Sequence, residues 1–171
     1  MTEATPSSPP AAMPRYARQA MNILMQHDGD GWKLLGILPA SDAGSEGRRR
    51  ELVRDDGVTQ IYRWEGLVLR LLPDACDDYW FNLTSDQPRL YVICQADDQG
   101  VPVPMRITAD QDDAVAAEEV DEWFFQAEMP TSVVFWIRDY VATHWRPGPR
   151  KEKIKGKQGD KYRQGDGQQR S

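Results

Sequence analysis

The chain has 171 residues, 40% of them hydrophobic and 28% charged, with a formal net charge of -6. This is one domain's length with room for polar ends, and the two cysteines exclude a disulfide framework or a complete thiolate zinc site. The two histidines leave little for triad or metal chemistry, and no segment approaches the roughly 20 apolar residues of a membrane span.

Charge is divided along the chain. Residues 1–145 hold 12 basic and 24 acidic side chains, whereas residues 146–171 hold 9 basic and 3 acidic. An acidic body disfavours nucleic acid, so contact with RNA is expected only through the tail, which suits an acidic protein partner equally well.

Residues 1–14, rich in Pro, Ser, Thr and Ala, read as a flexible leader without the basic start and apolar stretch of a signal peptide; a cytoplasmic location is expected. Residues 20–25 and 32–38 are apolar runs around Asp28-Gly29-Asp30-Gly31, the signature of a β-hairpin. Residues 41–50 read as a polar loop. Residues 58–64 alternate, Glu65-Gly66 suggests a turn, and residues 67–72 suggest the second arm of another hairpin. An acidic loop follows over 74–78. Residues 79–84, 90–95 and 101–108 read as strands, the last two joined by Asp97-Asp98-Gln99-Gly100. Asp110 to Asp113 offer caps and negative charge to a short helix over 114–119.

The clearest helix covers 132–145. Val133, Trp136, Ile137, Tyr140, Val141 and His144 fall on one face, Thr131 or Ser132 is available as a cap, and Pro147 ends it. The expected fold is therefore α+β. A mainly antiparallel sheet of about seven short strands, in one or two layers, carries a C-terminal helix packed on one face. Residues 15–146 form the domain, and residues 147–171 a disordered basic tail.

Candidate chemistry is sparse. The acidic loop lacks the spacing of a calcium site. Cys76 sits among carboxylates, which oppose thiolate formation, and Cys94 lies in an apolar strand. His27 is expected in an exposed turn and His144 at a helix end. Glu118 and Glu122 are four apart, as on one helix. Gly44 to Arg50 lacks the Gly-Lys-Ser/Thr ending of a phosphate loop. In Tyr79-Trp80-Phe81-Asn82, strand alternation puts Tyr79 and Phe81 on one face and Trp80 and Asn82 on the other; both faces are expected to be buried between sheet and helix, the alternative being one pair turned outward. No catalytic, cofactor-binding or metal residue is assigned.

An ordered set of residues resembles one bacterial family, the domain of unknown function 3305. It comprises Trp32, Gly36 and Pro39, then Leu69 and Leu71, then Tyr79, Asn82, Leu83 and Ser85. Pro88, Tyr91, Val92, Met129 and Pro130 follow, and Trp136, Tyr140, Val141, His144, Trp145 and Pro147 complete it, so that the resemblance covers about residues 20–155. Members are often encoded near molybdenum-dependent formate dehydrogenases. The resemblance therefore implies a non-enzymatic accessory role in assembly, maturation or regulation of such an enzyme, with one of its subunits as the acidic partner. The alternative is a small binding domain whose tail engages RNA or an acidic protein. Candidate partner-binding residues are Arg146, Arg150, Lys151, Lys153, Lys155 and Lys157, with the aromatic segment Trp123, Phe124 and Phe125 next.

Overall fold

The computed structural model describes residues 13–41, 47–120 and 122–146. Most of the expected leader and all of the expected tail, including Arg150, Lys151, Lys153, Lys155 and Lys157, lie outside the described residues. The described chain forms seven strands and three α-helices, an α+β fold dominated by antiparallel pairing.

The first hairpin forms as expected. β1 spans Ala17–Asp28 and β2 Gly31–Pro39, with His27 opposite Trp32. The Asp28 carboxylate accepts from the Asp30 N–H at 2.8 Å, and Gly31 takes φ 109°, a conformation that favours glycine. That hydrogen bond, with one from Gln26, holds the Asp28 carboxyl below the usual carboxylate range. Met21, Ile23 and Met25 alternate into the core opposite Ile37 and its neighbours, each burial contributing about 1.5–3 kcal/mol.

The second hairpin does not exist. Residues 60–71 are one continuous strand, β4 (Gln60–Leu71), paired along its length with β1. Met21 pairs with Leu67 and Ile23 with Trp64, so Glu65 and Gly66 together face Asn22 as a bulge. Gly66 has φ 82°, and a Cβ there would lie 2.1 Å from the Gly47 carbonyl oxygen. The glycine that suggested a turn instead allows the strand to bend against another backbone. Gly66→Ala should therefore lower unfolding free energy by about 2 kcal/mol, read from the urea midpoint; an unchanged midpoint would show that the 47–48 segment simply moves away.

The expected polar loop ends in a strand instead. β3 (Arg49–Asp55) pairs with the first half of β4, and each of its residues is exposed, so it carries no burial period to read. The expected strand over 79–84 is helical: after a 3₁₀ turn at Pro73–Ala75, α1 spans Cys76–Leu83 and buries Cys76, Tyr79 and Asn82 at helical spacing. β5 (Arg89–Ala96) and β6 (Pro102–Thr108) form the expected antiparallel pair. α2 covers Gln111–Glu118, and its N-cap Asp110 accepts from the Asp112 N–H at 2.9 Å. β7 (Trp123–Glu128) pairs with β5, and α3 covers Thr131–His144. The N-cap of α3 is Pro130 rather than Thr131 or Ser132, with no side-chain cap bond.

The sheet order is β2-β1-β4-β6-β5-β7, with β3 also on β4. β4 and β6 run parallel and meet at Leu69 and Ile107. The edge strands β2 and β7 approach each other, so the sheet curls almost into a barrel. Val133, Ile137, Tyr140 and Val141 of α3 join its core, while Trp136 packs against that core only half-buried. Among the described residues no helix is long and apolar enough to cross a membrane.

Candidate functional site

The residues that carried the resemblance mostly brace the fold. Asn82 is buried on α1; its Oδ1 accepts from the Arg89 N–H at 3.0 Å, and its Nδ2 donates to the carbonyls of Arg89 at 2.7 Å and Ala109 at 2.9 Å. The Tyr79 hydroxyl accepts from the Leu72 N–H at 3.1 Å, and burial pushes its pKa up to about 12. Tyr140 donates to the carbonyls of Arg15 and Leu71. His144 Nε2 lies 2.9 Å from the Met13 carbonyl, and the Trp145 indole donates to Asp77 at 2.5 Å. These bonds tie α1 and α3 to each other and to the start of β1.

Other sequence candidates are likewise engaged. His27 is not in an exposed turn: it sits on β1, half-buried, stacked on Trp32 at 4.6 Å. Both cysteines are buried and unbridged; burial pushes the Cys94 thiol up to about 12, and burial with the Asp77 and Asp74 charges raises Cys76. Glu118 ends α2, whereas Glu122 lies beyond it and accepts from Gln95 at 2.6 Å, so one helix does not span the pair.

The expected acidic loop is split by the fold. Asp78 comes together with Asp110 and Asp112, their carboxylate oxygens lying within 4.8 Å of one another. Asp110 is committed as the cap of α2, and burial, then the Asp78 charge, raises its carboxyl above the usual value. A carboxyl raised in the folded state makes stability fall as pH rises through the unfolded value of 3.8 towards the folded one. Asp110→Asn keeps a good cap and removes that cost. It should match or exceed the wild type at neutral pH and lose the advantage below the unfolded value; greater instability at neutral pH would make the Asp110 charge itself stabilising.

Two recesses meet at Leu72, Ala75 and Asp110. The smaller, 310 Å³, is bordered by Arg15, Asp74 and Asp78. The larger, 660 Å³, follows the β4–β6 junction and brings Arg48, Arg70 and Arg106 to its walls. Sequence reading missed this groove, because its arginines come from three separated segments and share no motif.

A second surface forms where α1 meets the end of α3. Trp80 and Phe81 are 46% and 71% exposed, three and four residues beyond Asp77 on one helix face, and Trp145, 38% exposed, is bonded to Asp77. Arg146 follows directly, exposed, with its guanidinium 3.4 Å from the Thr143 carbonyl at the helix end. The aromatic segment Trp123, Phe124 and Phe125 lies elsewhere, on β7. Trp123 and Phe125 pack half-buried on the core, and Phe124 meets Tyr91 edge-on at 5.6 Å.

These features place the chain among mostly β, α+β domains whose polar motif residues brace the fold. A family model described as a protein of unknown function (DUF3305) matches residues 23–155, and the chain belongs to that family. No curated protein and no solved structure matches the chain.

Proposed function

We propose that this protein is a non-enzymatic accessory factor that docks on a larger partner through the α1–α3 end of its domain and the basic segment that follows. The observation that carries the reading is the exposed Trp80, Phe81 and Trp145 beside Arg146, the first residue of a segment, 146–171, that holds 9 basic and 3 acidic side chains in all. Exposed aromatics supply large contact area, and the cations steer an acidic surface towards them. Tyr79, Asn82, Tyr140 and Trp145 are occupied by the fold, which fits binding better than chemistry. The partner we propose is a subunit of a molybdenum-dependent formate dehydrogenase, on the genomic company of the family; the protein would work in the cytoplasm on that enzyme's assembly, maturation or regulation.

Co-purification of the full chain from its native host tests this. The wild type should recover a formate dehydrogenase subunit. Trp80→Ala/Phe81→Ala should lose it while changing stability by about 0.5 kcal/mol or less, because both side chains are exposed. Replacing Lys151, Lys153, Lys155 and Lys157 by Gln should weaken recovery and its salt dependence. Recovery of RNA instead, abolished by the same four replacements, would support the tail-binding alternative. Recovery of no such subunit, with normal enzyme maturation in a deletion strain, would overturn the proposal.

A further inference from the structure

We propose that the groove at the β4–β6 junction is a binding site for a small phosphate-bearing ligand. β4 and β6 have one register pair, Leu69 and Ile107, and the groove follows this short junction. Leu69 and Ile107 are buried, so their neighbours Arg70 and Arg106 emerge on the opposite face of the sheet. Arg18 of β1, outside the groove's own lining, is the direct cross-strand partner of Arg70, which puts both residues on that face of the sheet.

Like charges directly opposed across an antiparallel pair repel. Neither Arg18 nor Arg70 has a hydrogen-bond or ion-pair partner among the described residues. The two other arginines that line the groove are engaged. Arg106 is held by Asp113 at 3.0 Å and Glu122 at 3.4 Å, and Arg48 donates to the Pro104 carbonyl at 3.0 Å. Among the described residues, the unmatched charge around the groove is thus that of Arg70 and its cross-strand neighbour Arg18, within a stretch, residues 1–145, where acidic side chains outnumber basic ones 24 to 12.

A phosphate resolves that repulsion. Its oxygens match the planar fork of guanidinium donors, and one phosphate bridges two adjacent arginines. The groove's 660 Å³ is within the range of small-molecule sites, and Leu67, Val68, Leu72 and Met105 offer apolar wall to the uncharged part of a ligand. Asp110 and Asp113 also line the groove, but Asp113 is paired with Arg106 at 3.0 Å and Asp110 is engaged as the cap of α2.

The test is a titration of the full chain with inorganic pyrophosphate at constant ionic strength, followed by amide NMR shifts. Shifts should saturate at Arg48, Gly66, Arg70 and Arg106, and should persist when Lys151, Lys153, Lys155 and Lys157 are replaced by Gln. Arg18→Gln/Arg70→Gln should weaken binding about tenfold, since it removes both unmatched cations. The same variant should unfold at a higher temperature than the wild type in phosphate-free buffer, and pyrophosphate should reverse that order. Shifts confined to residues 147–171, or binding by the double variant within about twofold of the wild type, would overturn the proposal.

Discussion

Tyr140→Ala is expected to lower the unfolding free energy by about 3–5 kcal/mol, the cost of removing a large aromatic from a packed interior. Tyr140 is fully buried on α3, its ring 6.3 Å from that of Tyr79 on α1 and 4.6 Å from that of His144. Its hydroxyl donates to the carbonyls of Arg15 and Leu71, so one side chain joins the last helix to the approach to β1 and to the end of β4. Tyr140→Phe separates the two contributions. It keeps the ring and removes the single O–H that the two carbonyls share, and should cost about 1–2 kcal/mol. Urea unfolding with an unchanged dependence on denaturant is the measurement. A loss below about 1 kcal/mol for the alanine variant would mean that the core closes around the gap.

Asn82→Ala should cost about 2–4 kcal/mol despite removing only a small side chain, because it strands three backbone groups in the interior. The Arg89 N–H needs an acceptor, which fixes the amide orientation; the Arg89 and Ala109 carbonyls then receive its two donors. The side chain thereby sets α1 against the start of β5 and the turn that leads to α2. Asn82→Asp should be worse at neutral pH, since a carboxylate oxygen would face two carbonyl oxygens. That environment raises the introduced carboxyl above its unfolded value, so the folded state binds the proton more tightly and stability recovers on acidification. A pH-independent loss for Asn82→Asp would place its side chain in solvent.

The fold was unevenly legible. β1 and β2 were readable because their apolar positions alternate and Asp28 to Gly31 is turn chemistry; α3 was readable because Val133, Ile137, Tyr140 and Val141 repeat at helical spacing and are all buried. The error at 79–84 has a physical source. In an eight-residue helix with Trp80 and Phe81 exposed, polar and apolar residues do not separate by face, and the apolar run resembles a strand. β3 was invisible for the opposite reason, since a strand exposed on both faces has no pattern of burial. Gly66 misled because a positive φ serves a turn and a bulge equally well. Among the candidate partner-binding residues, Arg146 is exposed beside Trp145, whereas for Trp80 and Phe81 the sequence offers only a strand alternation that sets Tyr79 and Phe81 against Trp80 and Asn82.

The α+β class, the first hairpin, the β5–β6 pair, the last helix and the family are all legible from residue order, because each rests on local periodicity, turn chemistry or an ordered set of side chains. Only packing makes β4 run on through Gly66, makes residues 76–83 helical, and brings Arg48, Arg70 and Arg106 to one groove with Arg18 paired across from Arg70. Each of these depends on which distant backbone or surface lies alongside: Gly47 against Gly66, α3 against α1, β6 against β4. A local pattern states which residues share a face, and only packing settles what that face meets.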